Sequence, residues 1–212
     1  MMKNKLISVL FALLPIMLPA ICSAQQGQYM SLDTFLNSTF LPSEELSFKE
    51  AKNGLSVDAQ EIKTPYRAST LWLVEEQKKV IKNILGHEYN GFRIRYWYDD
   101  EKTAWVLEEI GKEHPITMGV VIADQKISQF SILEFRESRG WEIKYDFFTQ
   151  QFLGAVLKIN KKNELELSQS IDGITGATLS VRATQKIAKL ALYLDQQVNR
   201  IESSHGANPS TY

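Results

Sequence analysis

The chain has 212 residues, enough for one ordinary domain with additions and too few for a large multidomain enzyme. Hydrophobic residues make up 44% and charged residues 23%, which excludes disordered, collagenous and low-complexity classes for the bulk of the chain. The formal net charge is −1 and the Lys and Arg are scattered, so no nucleic-acid partner is expected. A single Cys excludes a disulfide framework and a Cys-based structural zinc site.

Lys3 and Lys5 precede a run from Leu6 to Leu18 that is almost entirely apolar, and Cys22-Ser23-Ala24 follows. This is the order of a secretory signal peptide, so residues 1–24 are expected to be cleaved after Ala24 and the protein to work in the periplasm. The run is short for a spanning helix and contains Pro15 and Pro19. A retained anchor, and with it attachment to the inner membrane, stays open as an alternative. Ile21 is bulky where a lipidation signal at Cys22 wants a small residue. Cleavage removes the only Cys, which suits an oxidising compartment.

Ser31 is a plausible N-cap for a short helix carrying Leu32, Phe35, Leu36 and Phe40, stopped by Pro42. Ser43–Pro65 reads as loop. Ser69 or Thr70 is expected to cap a helix running to about Leu85, with Gly86 as its stop. The period then changes to two: Phe92, Ile94, Tyr96 and Tyr98 alternate with Arg93, Arg95 and Trp97. Asp99–Lys102 reads as a turn and Thr103–Ile110 as the returning strand of a hairpin. Ile116–Ala123 and Lys126–Arg136 follow as strands around an Asp124-Gln125 turn. Tyr145–Phe152 reads as a short helix with aromatic anchors, Ala155–Ile159 and Leu165–Leu167 as short extended pieces, and Leu179–Ile201 as a long helix. The expected fold is α+β, an antiparallel sheet packed with helices. The expected boundaries are a signal peptide at 1–24, an N-terminal helical extension at 25–90, one domain at 91–201 and a flexible tail at 202–212. His87, His114 and His205 show no ligand spacing and read as surface residues. Tyr96, Trp97, Tyr98 and Trp105 read as packing across the hairpin.

The segment Asp172-Gly173-Ile174-Thr175-Gly176-Ala177-Thr178-Leu179-Ser180 is small and rich in hydroxyls, and it opens into the last helix. Backbone N–H groups at a helix start favour a phosphate, and Gly173 and Gly176 allow close approach. An ordinary helix capped by Thr175 or Thr178 is the competing reading. No Lys follows Gly176 as a P-loop requires, and the glycine spacing is not that of a dinucleotide fold.

These nine residues resemble the flavinylation motif of the FMN-binding domain family, which includes flavin subunits of sodium-pumping NADH:quinone reductase and of the Rnf complex. The order of strand, Glu-x-x-Gly loop, aromatic helix and motif is also similar, from about Phe92 to Leu194. Many members have Glu-Thr-Pro-Gly where this chain has Glu137-Ser138-Arg139-Gly140. The resemblance implies an exported FMN-binding electron carrier with FMN joined by a phosphoester bond to Thr178. It also implies an FAD-dependent flavin transferase for maturation, a membrane electron donor and a periplasmic acceptor. Asp172 is a candidate for ordering the loop, and Thr175 and Ser180 for hydrogen-bonding phosphate. Glu137, Arg139, Gly140 and Trp141 are candidates for a wall beside the ring, with Trp141 stacking. Arg139 or Lys112 is a candidate for stabilising an anionic reduced flavin. Two alternatives remain open: a flavin-dependent reductase of a small molecule, using Glu137, Arg139 and Glu142, and a flavin-free exported binding module.

Overall fold

A computed structural model describes residues 30–41 and 64–206, the last five as helical backbone only. The signal-peptide reading, nearly all of the Ser43–Pro65 loop and the end of the tail lie outside the described residues.

Helix α1 (Leu32–Phe40) begins as its sequence predicts. Ser31 is extended, and its Oγ accepts from the Thr34 N–H at 3.1 Å, which satisfies one open donor of the first turn. The next element differs from expectation. Arg67–Trp72 is a strand, β1, and helix α2 (Glu75–Leu85) starts only after Val74. Ser69, Thr70 and Trp72 are indifferent helix formers, whereas β1 gains a continuous antiparallel ladder on Arg93–Tyr98, which is β2. The Val74 N–H donates to Gln77 Oε1 at 3.0 Å, so the start of α2 is fixed from inside the helix. Gly86 ends it with φ 77, a left-handed stop that favours glycine.

Strands β2, β3 (Lys102–Ile110), β4 (Pro115–Ala123) and β5 (Lys126–Glu134) follow one another as antiparallel neighbours, so the sheet order is β1-β2-β3-β4-β5. Asp124 and Gln125 both take positive φ, as a two-residue hairpin that follows strand twist requires. A 3₁₀ turn (Trp141–Lys144), helix α3 (Asp146–Thr149) and a second 3₁₀ turn (Gln150–Phe152) replace the single helix expected at Tyr145–Phe152. Strands β6 (Leu157–Ile159) and β7 (Leu165–Leu167) form a separate hairpin. Helix α4 (Thr178–Gly206) runs past Ile201 into the expected tail.

The two faces of the sheet carry different layers. Ile94, Tyr96, Trp105, Met118, Val120 and Phe130 face a core shared with α2, α3 and α4. Trp97, Ala104, Val121 and Leu133 face α1 on the other side. That docking needs Gly119, because a Cβ there would meet the Phe35 ring at 2.6 Å. Tyr96 and Trp105 are paired across β2 and β3 and stack at 4.9 Å, whereas Trp97 packs on the opposite face. The expected division at residue 90 is not a division of the core. Leu71, Leu73, Ile81, Ile84 and Leu85 are buried with Trp105 and Ile187 in one cluster, so β1 and α2 complete the domain.

Candidate functional site

The motif lies between two anchored points. Its entry is held by Gln151, whose Oε1 accepts from the Asp172 N–H at 2.7 Å. Gln169 donates through Nε2 to the carbonyls of Gln151 and Leu153. Nothing in the local sequence signals these two glutamines, because their partners lie 16 to 21 residues away. The Asp172 side chain is exposed, and its part in ordering the loop goes through its backbone.

The Ala177 N–H then donates to the Ile174 carbonyl at 3.0 Å, which closes a tight turn with Thr175 and Gly176 at its centre. Gly176 has φ 81, the left-handed value that the third position of a type II turn demands. A Cβ on Gly173 or Gly176 would meet nothing within 4 Å, so the space above both is open. Ala177 is the N-cap residue: its carbonyl accepts from the Val181 N–H at 3.0 Å. Neither Thr175 nor Thr178 caps the helix, which corrects the competing sequence reading. Thr178 is the first helical residue, exposed, with exposed Leu179 beside it. Among the described residues no side chain accepts from the N–H groups of Thr178, Leu179 or Ser180. The N–H groups of the exposed Thr178 and Leu179, at the positive end of a long helix, therefore stay open to an anion. Ser180 turns inward and is 3% exposed.

The loop after β5 lies against this helix start. Gly140 has φ 86, and a Cβ there would stand 2.6 Å from the Ala177 Cβ and 3.6 Å from Ser180 Oγ. Gly140 thus brings the loop against the Ala177–Ser180 end of the motif, although 37 residues separate Gly140 from Ala177 in sequence. Each loop residue has its own surroundings. Glu137 Oε1 accepts from the N–H groups of Lys112, Glu113 and His114 at 2.6, 2.8 and 3.1 Å. Burial pushes its carboxyl pKa up, but those N–H donors and the nearby His114 outweigh that and leave it below the usual value. Glu137 is therefore a clamp that fixes the β3–β4 turn to the loop, with Oε1 turned to that turn.

Lys112 sits on the clamped turn, with its ammonium 2.9 Å from Glu113. Arg139 is exposed and meets no carboxylate at ion-pair distance among the described residues. Trp141 is 51% exposed and meets Tyr145 edge-on at 5.2 Å; Phe147, 60% exposed, continues the aromatic surface at 6.0 Å from Tyr145. Glu142 Oε2 is buried with no hydrogen-bond partner among the described residues.

A second polar cluster ties the segment after α2 to β3 and α4. Glu109 is 5% exposed and accepts from Lys186 Nζ at 2.7 Å, with His87 Nε2 at 2.9 Å from its other oxygen. His87, expected as an ordinary surface residue, has its pKa raised, first by the Glu88 carbonyl and then by Glu109. No metal-binding cluster of three or more His, Cys, Asp or Glu occurs among the described residues.

The site thus joins an open helix start, an exposed threonine at its first position, a glycine packed against it and an exposed aromatic surface. Open donors and free space above Gly173 and Gly176 suit a phosphate, and the aromatic surface suits a flat ring. Residues 111–193, from the β3–β4 turn into α4, match the family model of the FMN-binding domain. Residues 111–193 are thus a domain of that family, and the match supports FMN as the cofactor. No curated protein matches the chain at a significant level.

Proposed function

We propose that FMN is held covalently, through a phosphoester to Thr178, and that the protein is an exported electron carrier. The observation that carries this reading is the position of Thr178. Thr178 is exposed at the first residue of α4, where its own N–H and that of exposed Leu179 have no partner among the described residues. A phosphodiester on Thr178 Oγ1 keeps one negative charge, which the helix start stabilises by roughly 0.3–1 kcal/mol, more if partly buried. Attachment is a transfer from FAD, catalysed by a separate flavin transferase with a magnesium ion. Thr178 Oγ1 bonds to the FMN phosphorus, the phosphoanhydride breaks, and AMP leaves with the proton that Oγ1 gives up.

FMN supplies a ring that takes up one or two electrons, so it connects two-electron and one-electron partners. The chain contributes retention and environment. A tether replaces bimolecular binding by a high effective concentration, which matters where lost cofactor is diluted away. Gly140 lets the loop close on Ala177, Trp141 offers a stacking face, and Arg139 offers a charge that favours an anionic reduced ring. A membrane donor and a periplasmic acceptor are the proposed partners. Reduction of a small molecule would need an acid–base pair of its own, and Glu137 has Oε1 turned to the β3–β4 turn.

The test is flavin fluorescence in a denaturing gel, on protein exported from cells that contain the transferase. A fluorescent wild-type band and a dark Thr178→Ala band support the reading. A dark wild-type band beside a fluorescent control flavoprotein contradicts it.

A further inference from the structure

The sheet has two edges, and the chain treats them differently. On β5 the Ile127 N–H donates to the Ala155 carbonyl at 3.0 Å, and the Ile127 carbonyl accepts from Gly154 at 2.8 Å. Farther along the same strand, Leu133 accepts from the Met30 N–H at 3.2 Å. Two irregularities also break the β4–β5 register. That edge is covered.

On β1 the ladder to β2 is continuous from Arg67 to Trp72. The Leu73 N–H donates to the Phe92 carbonyl at 2.9 Å, which fixes the phase of the ladder. Leu71 and Ser69 therefore bond inward to β2, while Ala68, Thr70 and Trp72 turn their N–H and carbonyl groups outward. Among the described residues nothing pairs with those outward groups. Apart from Arg67 at its start, the edge lacks the usual protection: β1 has no Pro, no Lys and no bulge.

The side chains beside that edge set the chemistry. Thr70 and Trp72 stand opposite Arg95 and Arg93 on the same face. Both guanidiniums rest on indoles, Arg93 on Trp72 at 5.8 Å and Arg95 on Trp97 at 5.3 Å. Neither meets a carboxylate at ion-pair distance among the described residues. Ala68, Ser69, Thr70 and the two arginines line a concavity, because the small β1 side chains leave the arginines reachable from the edge. Trp72 is 65% exposed at its end.

We propose that β1 is a strand-addition edge that takes an extended acidic segment of a partner protein. Main-chain bonds to Ala68, Thr70 and Trp72 would hold the added strand, and alternate carboxylates would reach Arg93 and Arg95 across β1. A second copy of this chain fits less well. Pairing β1 with itself brings Arg93 and Arg95 of both copies to one face, and neither β1 nor β2 carries an acid to offset them.

The test uses the full chain and a capped synthetic peptide, Thr-Glu-Val-Glu-Val-Glu-Thr. Binding is followed by the peptide's anisotropy and by amide hydrogen exchange. The expected result is saturable binding that slows exchange at Ala68, Thr70 and Trp72, with those amides fast in the free chain. Thr70→Pro removes an outward donor without touching the β2 ladder. It is expected to weaken binding at least about tenfold, as is Arg95→Glu, which leaves the backbone intact. A peptide with Lys for Glu should not bind. Slow exchange at those three amides in dilute free monomer overturns the proposal, because the chain then covers its own edge. A dimer that Thr70→Pro disperses overturns it in favour of a second copy. Peptide binding that Arg95→Glu leaves unchanged also overturns it.

Discussion

Gly140 and Ala177 touch across the fold so closely that a single added methyl has no room. The Cβ of an alanine at 140 would lie 2.6 Å from the Cβ of Ala177, and the backbone there has φ 86. One contact therefore couples the loop after β5 to the start of α4. Gly140→Ala is expected to lose about 1–3 kcal/mol, from strain and overpacking together. A shifted denaturant midpoint checks the stability. Lower flavin incorporation at unchanged export checks the coupling to the motif.

Glu137 fixes the other side of the same loop. Its folded pKa lies below the usual value, so its charge contributes stability above the unfolded carboxyl pKa of about 4.3. That contribution is lost as pH falls through the lower, folded value. Glu137→Gln keeps an acceptor oxygen and loses the charge, and is expected to cost about 1 kcal/mol at neutral pH. The gap from wild type should shrink on acidification below pH about 4. Urea midpoints at several pH values measure it; a gap that widens in acid would contradict the clamp.

His87 works in the opposite sense. Its folded pKa is raised, so its contribution is fully present below the unfolded value of about 6.5 and fades as pH rises through the folded one. His87→Gln should flatten the stability profile at and above pH about 6.5. Glu109→Ala is more severe. It strands Lys186 and empties a buried carboxylate site, at a cost of about 3 kcal/mol. Thermal unfolding of the two variants separates the titrating contact from the buried one.

Trp141 is half exposed, so its removal should barely affect the fold. Trp141→Ala is expected to change stability by less than about 0.5 kcal/mol. If it stacks on the ring as proposed, the same variant alters flavin absorption and the reduction midpoint of flavinylated protein. An unchanged spectrum and midpoint would leave Trp141 outside the flavin's surroundings.

The features legible in the sequence are those encoded within a few residues. The alternation of Ile94, Tyr96 and Tyr98 announces β2, Ser31 announces α1, and Gly86 ends α2. The motif is readable for the same reason: nine consecutive residues make its turn and helix start. β1 is misread as helix because its identity comes from pairing with β2, 21 to 31 residues away. The Glu137 clamp and the Glu109–Lys186 pair join residues 23 to 25 and 77 apart, so no local spacing shows them. The same distance hides the contact of Gly140 with Ala177. Glycine at 140 is visible in the sequence, but the neighbour that requires it is not.

The proposed electron carrier depends on flavin attached at Thr178. Intact mass under denaturing conditions tests it most directly, on wild type and Thr178→Ala exported from cells with the flavin transferase. Attachment at Thr178 predicts a wild-type mass increased by one FMN less one water, and no increase in Thr178→Ala. An increase that persists in Thr178→Ala, or a wild type without one while a control protein is flavinylated, would contradict it.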